Sequence, residues 1–208
     1  NNATWQCFRR VSLSQARRGR TALSMPGDHS TSQTVVVNGT IPPLGKGVAV
    51  GQYAEVDRIF TSKDIDLFGS VISDMNPLHQ EWSVSGDDEN RIPPEIQNHP
   101  LLRSNSSGTT DKLVHGMLVA SLFSSIFGTL TPRAVYLNQS LTFAKPVYAG
   151  MPVTGRCTTE RVRDWRRRKG GVVLLTCTTV VMDCQTKDLE YVTGTADVWL
   201  REGVPLGD

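Results

Sequence analysis

Two groups of residues in this chain have the right types to move protons. In Asp74-Met75-Asn76-Pro77-Leu78-His79, a carboxylate and an imidazole flank a proline turn. The residue before a proline is pushed out of the helical region and Asn-Pro opens turns, so a bend here can carry both side chains to one point. Imidazole titrates near neutrality, so it can both take and return a proton, and a carboxylate beside it can share the work on a bound water. Asp, Asn and Pro are also good turn formers. Spacing alone fits a helix end with a surface histidine equally well. The second group is His115-Gly116-Met117, at the head of a long apolar run. A glycine at a helix start leaves its N–H open to approach, and the helix dipole there favours negative charge. An oxyanion site needs both properties. Taken alone, this motif too fits an ordinary helix start, and His115 reads as a residue that orients the turn rather than one that reacts.

These residues need elements to hold them. Residues 48–60 alternate loosely and read as a strand. Thr61 or Ser62 then caps a short helix, with Ile65, Phe68 and Ile72 spaced along one face and Asp64 and Asp66 in its first turn. Asn76-Pro77 is expected to end it. Residues 82–111 are rich in Ser, Gly, Asn and Pro, too long for a simple loop, and read as an insertion. Residues 115–130 (HGMLVASLFSSIFGTL) are apolar on nearly every face, so this helix is expected to be buried on all sides. Ser121, Ser124 and Ser125 can return their hydroxyls to its backbone carbonyls, and Pro132 stops it. Further strands are expected at 134–143, 153–163, 172–183 and 190–200, with a basic hairpin tip (DWRRRKGG) at 164–171. The economical architecture is α+β: a long antiparallel sheet wrapped around one central buried helix.

Composition narrows the function classes. The chain has 208 residues, 38% hydrophobic and 20% charged, as in an ordinary soluble globular protein. A net charge of +2 is too small to suggest nucleic acid. The apolar runs are interrupted before they could span a bilayer, so no membrane partner is expected. Cys7, Cys157, Cys177 and Cys184 have no CxxC spacing and no neighbouring His, which leaves a metal site unsupported; they read as reduced. Gly45-Lys46-Gly47 is too short for a phosphate cradle, and neither a metal nor a redox cofactor is expected. Residues 1–27 contain no acid but carry Arg9, Arg10, Arg17, Arg18 and Arg20 among Ser and apolar residues. That is the composition of a mitochondrial presequence, preferred over a solvated basic tail. Residues 1–45 are therefore expected to be presequence and linker, and 46–203 a single domain.

Three stretches in order, SDMNPLH (73–79), LVHGMLVASLFS (113–124) and VYLNQSLTFAKPVYAG (135–150), resemble the MaoC-like hydratases and dehydratases of the hot-dog fold. The resemblance implies that Asp74 and His79 activate a water that adds to the β-carbon of a trans-2-enoyl thioester, and run the reverse elimination. The product would carry an (R)-3-hydroxyl. It also implies that the Gly116 N–H polarises the thioester oxygen and that Asn76 orders the turn. His115 and Met117 would lie on the substrate side, and Ser124 and Phe127 would set pocket depth. The substrate would be a thioester of acyl carrier protein or coenzyme A, the assembly a homodimer, and no cofactor would be needed. With the presequence, the expected setting is dehydration in fatty acid synthesis in the mitochondrial matrix; a coenzyme A-specific hydratase of fatty acid oxidation is the near alternative. A hot-dog acyl thioesterase would not need the Asp-x-Asn-Pro-x-His turn. A non-catalytic acyl-thioester-binding scaffold would be expected to lack one of the pair. The stretch between His79 and His115 is longer than the family pattern, which leaves substrate size open. The basic tip Arg166 to Lys169, beside Trp165, reads either as a solvated turn or as a docking patch for the substrate's carrier.

Overall fold

Alternating stretches bury one face each, and antiparallel neighbours satisfy each other's backbone groups, so four such stretches in succession build a sheet with one apolar side. The computed structural model describes residues 36–84, 91–166 and 172–201. Along the chain these form β1 (Val37–Gly39), β2 (Tyr53–Ile59), α1 (Ser62–Ile72), α2 (Gly116–Leu130), β3 (Val135–Phe143), β4 (Pro152–Arg166), β5 (Val172–Asp183) and β6 (Glu190–Arg201), with single 3-10 turns at Pro43–Gly45 and Pro77–His79. The strands make one antiparallel sheet in the order β1-β2-β4-β5-β6-β3. Bulges between Thr159 and Arg161 and between Tyr136 and Asn138 raise the local twist, which helps the sheet curl around a helix.

That helix is α2. Val119, Leu122, Phe123, Ile126 and Phe127 are buried against Ala54 and Val56 of β2, Val153 and Cys157 of β4, Leu175 of β5 and Val198 of β6. Burying each of the larger side chains is worth roughly 1.5–3 kcal/mol. The expected hot-dog architecture is therefore present. The helix is not buried on all sides, however: Met117, Ser121 and Ser124 face outward. α2 rests on one sheet face, and among the described residues no second layer covers its far side. Ser121 and Ser125 donate to the Leu118 and Leu122 carbonyls at 2.6 and 2.8 Å, as their types suggest.

Three further details differ from expectation. Helix α1 ends before the proline: Ser73 turns left-handed (φ 59°) and the Asp74 N–H donates to the Gly69 carbonyl at 3.0 Å. This αL ending closes the helix through its own carbonyls, leaving Pro77 to shape the next turn. Val37–Gly39, within the stretch read as linker, pairs with β2. Cys157 and Cys177 are buried free thiols, but Cys184 is disulfide-bonded, so the reduced reading does not hold there. Among the described residues no helix is long and apolar enough to cross a membrane. The presequence at 1–27 lies outside the described residues, and the basic tip with Trp165 lies at and beyond their edge.

Candidate active site

The site is built where the end of α1 meets the start of α2. Thr61 and Asp64 form a reciprocal capping box: the Thr61 hydroxyl accepts from the Asp64 N–H at 3.2 Å, and the Asp64 carboxylate accepts from the Thr61 N–H at 2.8 Å. One turn before the helix ends, Gly69 allows a close approach. A Cβ there would lie 3.3 Å from the His115 ring and 3.0 Å from the Asp74 carbonyl oxygen. Gly69→Ala is therefore expected to cost about 1–3 kcal/mol by overpacking. It should also lower turnover by displacing both groups; thermal melting and an enoyl-thioester assay check the two effects.

Past the helix the turn is held in place link by link. One Asp74 carboxylate oxygen, Oδ1, accepts from the Asn76 N–H at 3.0 Å. The Asn76 side chain accepts from the Leu78 N–H at 3.0 Å, an Asx turn that fixes the start of Pro77–His79. The Trp82 indole donates to the Pro77 carbonyl at 2.8 Å, and the Leu113 N–H donates to the Leu78 carbonyl at 3.0 Å. His79 Nδ1 lies 2.7 Å from the Leu113 carbonyl. A carbonyl only accepts, so Nδ1 carries the hydrogen and neutral His79 presents Nε2 as a lone pair.

His115, the N-cap of α2, gives its helix no side-chain cap. Its ring is 3% exposed and stacks on the His79 ring, centroids 3.7 Å apart and planes 26° from parallel. Phe68 covers another side at 5.3 Å. The free Asp74 oxygen, Oδ2, lies 3.7 Å from Nε2 of His79 and 3.7 Å from Nε2 of His115. Among the described residues neither ring nitrogen of His115 has a hydrogen-bond partner of good geometry, although the Asp74 carboxylate and backbone both favour its charged form. Burial holds its proton affinity below the ordinary value of 6.5; His79 lowers it further, while Asp74 works the other way. For this group the unfolded chain binds more protons, so its contribution to stability is complete above pH 6.5 and is lost progressively below it, as pH falls through the lower folded value. The melting temperature is expected to drop below about pH 6.5, and less so in His115→Gln.

Gly116 supplies the first free N–H of α2. It lines a second cavity of about 460 Å³ with Leu101, Leu113, Met117, Phe143 and Val192. Asp74, His79 and His115 open instead on an adjoining cavity of about 620 Å³ that also includes Gly69 and Lys112. The two sites meet at residues 113–116, and a thioester using all three groups has to straddle that seam. The expected residues do not all gather here. Met117 lines the apolar cavity, whereas Ser124 lies exposed on α2 and Phe127 packs in the core against Tyr136; neither lines either cavity. Asn76 acts on the backbone of the turn.

Several lining residues carried no signal in the sequence. Leu101 comes from the insertion, whose described part is hydrogen-bonded into the body of the protein. Tyr148 donates to the Leu101 carbonyl at 2.9 Å, Arg103 lies over the Tyr148 ring at 4.7 Å, and Thr110 exchanges bonds with the Trp82 backbone. Asp74, His79 and His115 also offer one ligand atom each, all within 4.8 Å of one another, a donor set that chain spacing concealed.

A helix on a curled antiparallel sheet, with a carboxylate–imidazole turn against the helix start, defines a hot-dog-fold protein that brings proton-transfer groups together beside an apolar cavity. No family model matches the sequence. It is 34% identical over 119 residues to a mitochondrial 3-hydroxyacyl-[acyl-carrier-protein] dehydratase of Arabidopsis thaliana, covering 57% of this chain and 60% of that protein. It is 30% identical over 121 residues to an (R)-specific enoyl-CoA hydratase of Aeromonas caviae, covering 57% of this chain and 76% of that one. The solved structure of an (R)-hydratase from A. caviae superposes with a TM-score of 0.52 at 29% identity, covering 73% of this chain and 96% of that one. The chain belongs to the MaoC-like family of (R)-specific enoyl-CoA hydratases and 3-hydroxyacyl-thioester dehydratases, whose named members are hydro-lyases.

Proposed function

We propose that this protein reversibly adds water to trans-2-enoyl thioesters, giving (R)-3-hydroxyacyl thioesters. The observation that carries the reading is the Asp74 Oδ2 atom, 3.7 Å from the His79 Nε2 lone pair, with Asp74 Oδ1 and His79 Nδ1 both tied to backbone. Two acceptors so held can take both hydrogens of one water. In hydration the water oxygen bonds to the β-carbon as His79 or Asp74 takes its proton. The double-bond pair shifts to an enolate, whose oxygen accepts from the Gly116 N–H at the positive end of α2. The same acid then returns a proton to the α-carbon. Dehydration runs these steps backward.

The carrier is acyl carrier protein or coenzyme A. The acid-free, Arg-rich first 27 residues, together with two relatives named as mitochondrial dehydratases, support dehydration in the mitochondrial matrix. A homodimer is supported by strand β3, which among the described residues pairs only with β6 and leaves Val135 and Leu137 about half exposed at the sheet edge. The test is loss of enoyl-thioester absorbance when protein is added to the coenzyme A or the carrier-protein substrate, with product configuration determined. No change with either substrate would sink the reading.

A further inference from the structure

His115 is the most buried polar group at the site, and among the described residues neither of its nitrogens has a hydrogen-bond partner of good geometry. A buried polar atom without a partner costs free energy, and native structures usually meet it with a group or a bound water. The cluster has the dimensions to hold one oxygen. Asp74 Oδ2 lies 3.7 Å from each of the two Nε2 atoms, and no two ligand atoms of the three residues are more than 4.8 Å apart. A triangle of that size lets a single water sit about 2.8 Å from all three corners.

We propose that His115 is a third catalytic residue, one that holds the nucleophilic water jointly with Asp74 and His79; this rests on the hydratase reading above. The hydrogen inventory fits. Asp74 Oδ2 accepts only, and His79 Nε2 is a lone pair because Nδ1 donates to Leu113. The water gives one hydrogen to each. Neutral His115, with its hydrogen on Nε2, then donates to one oxygen lone pair. The second lone pair is left as the nucleophile, aimed away from the protein toward the β-carbon. In the reverse direction the same N–H donates to the departing hydroxyl oxygen while an acid delivers the proton that makes it water. Stacking on His79 and the packing of Phe68 keep the His115 ring in that plane. The geometry thus assigns His115 to the water rather than to the turn it begins.

Two substitutions separate this role from a structural one. His115→Phe keeps the ring and its stacking but removes the donor; His115→Gln keeps a donor and loses the ring. The expected result is a fall in kcat of about 10²-fold for His115→Phe with KM within about threefold, and a loss of no more than about tenfold for His115→Gln. Melting curves of both variants establish that they fold. Full activity in His115→Phe, loss confined to His115→Gln, or equal losses in both would overturn the assignment and leave the ring as a stacking platform. A crystal structure of the wild-type protein without substrate gives a readout independent of turnover. A water within about 3.2 Å of all three atoms, lost in His115→Phe, is expected. Its absence would overturn the proposal even if the wild type is a hydratase. A wild type that holds this water yet hydrates no enoyl thioester would instead sink the functional reading.

Discussion

His79→Ala is expected to lower kcat for hydration of a trans-2-enoyl thioester by about 10³- to 10⁴-fold, with KM little changed. The size of the effect follows from the geometry. The His79 ring is held at Nδ1 by the Leu113 carbonyl and on its face by His115, so Nε2 reaches the water position without reorganising. Alanine removes the base and leaves the carboxylate alone. Asp74→Asn keeps the shape of its side chain but removes the negative charge at Oδ2, and a loss of similar size is expected. On the proposed mechanism Asp74 and His79 share one water, so the double variant should lose little more than either single one. Steady-state kinetics on the three purified proteins decide it. Fully additive losses would mean that the two groups act in separate steps. The His79 ring is mostly covered, so folding is checked alongside by melting.

The second large effect is expected at Gly116. A Cβ there would lie 2.8 Å from the Phe143 ring. Phe143 is half exposed, so the ring can move, and it takes its room from the cavity that it lines with Gly116. Gly116→Ala is thus expected to fold, yet to cut kcat by about 10²-fold, because carbonyl approach to the N–H is obstructed. The double variant Gly116→Ala/Phe143→Ala removes the obstructing ring and should recover at least tenfold of that loss. A Gly116→Ala variant with wild-type kcat would mean that the thioester oxygen is held elsewhere, and failure of Phe143→Ala to rescue would mean that the ring is not the obstacle.

Much of the architecture could be read from the chain. Alternation located the four long strands, because a sheet with one buried face forces apolar residues to every second position. The cap at Thr61, the run from His115 and the stop after Leu130 were legible for the same reason: each is a local demand of backbone hydrogen bonding. The rest was not legible, either because a local turn carries no mark in residue type or because the deciding contact is distant in sequence. The length of α1 was set by Ser73 turning left-handed, and periodicity carries no mark of that. The open face of α2 depends on how many layers pack on it, which apolarity alone cannot reveal. Leu101 sits in a segment that reads as irregular, and hydrogen bonds such as the one its carbonyl accepts from Tyr148 hold it at the cavity.

By itself, the sequence singled out the candidate reactive groups. Asp74, His79 and the His115-Gly116 helix start are local motifs, and their chemistry follows from residue type and from the turn or helix end on which each lies. Tertiary structure alone decided their mutual placement. It stacked His115 on His79, turned both Nε2 atoms toward one Asp74 oxygen, and set Gly116 on a neighbouring cavity. The physical reason is that distances between side chains on separate elements follow from packing across the core, and packing depends on volumes and close approaches such as the one at Gly69, which no spacing along the chain encodes.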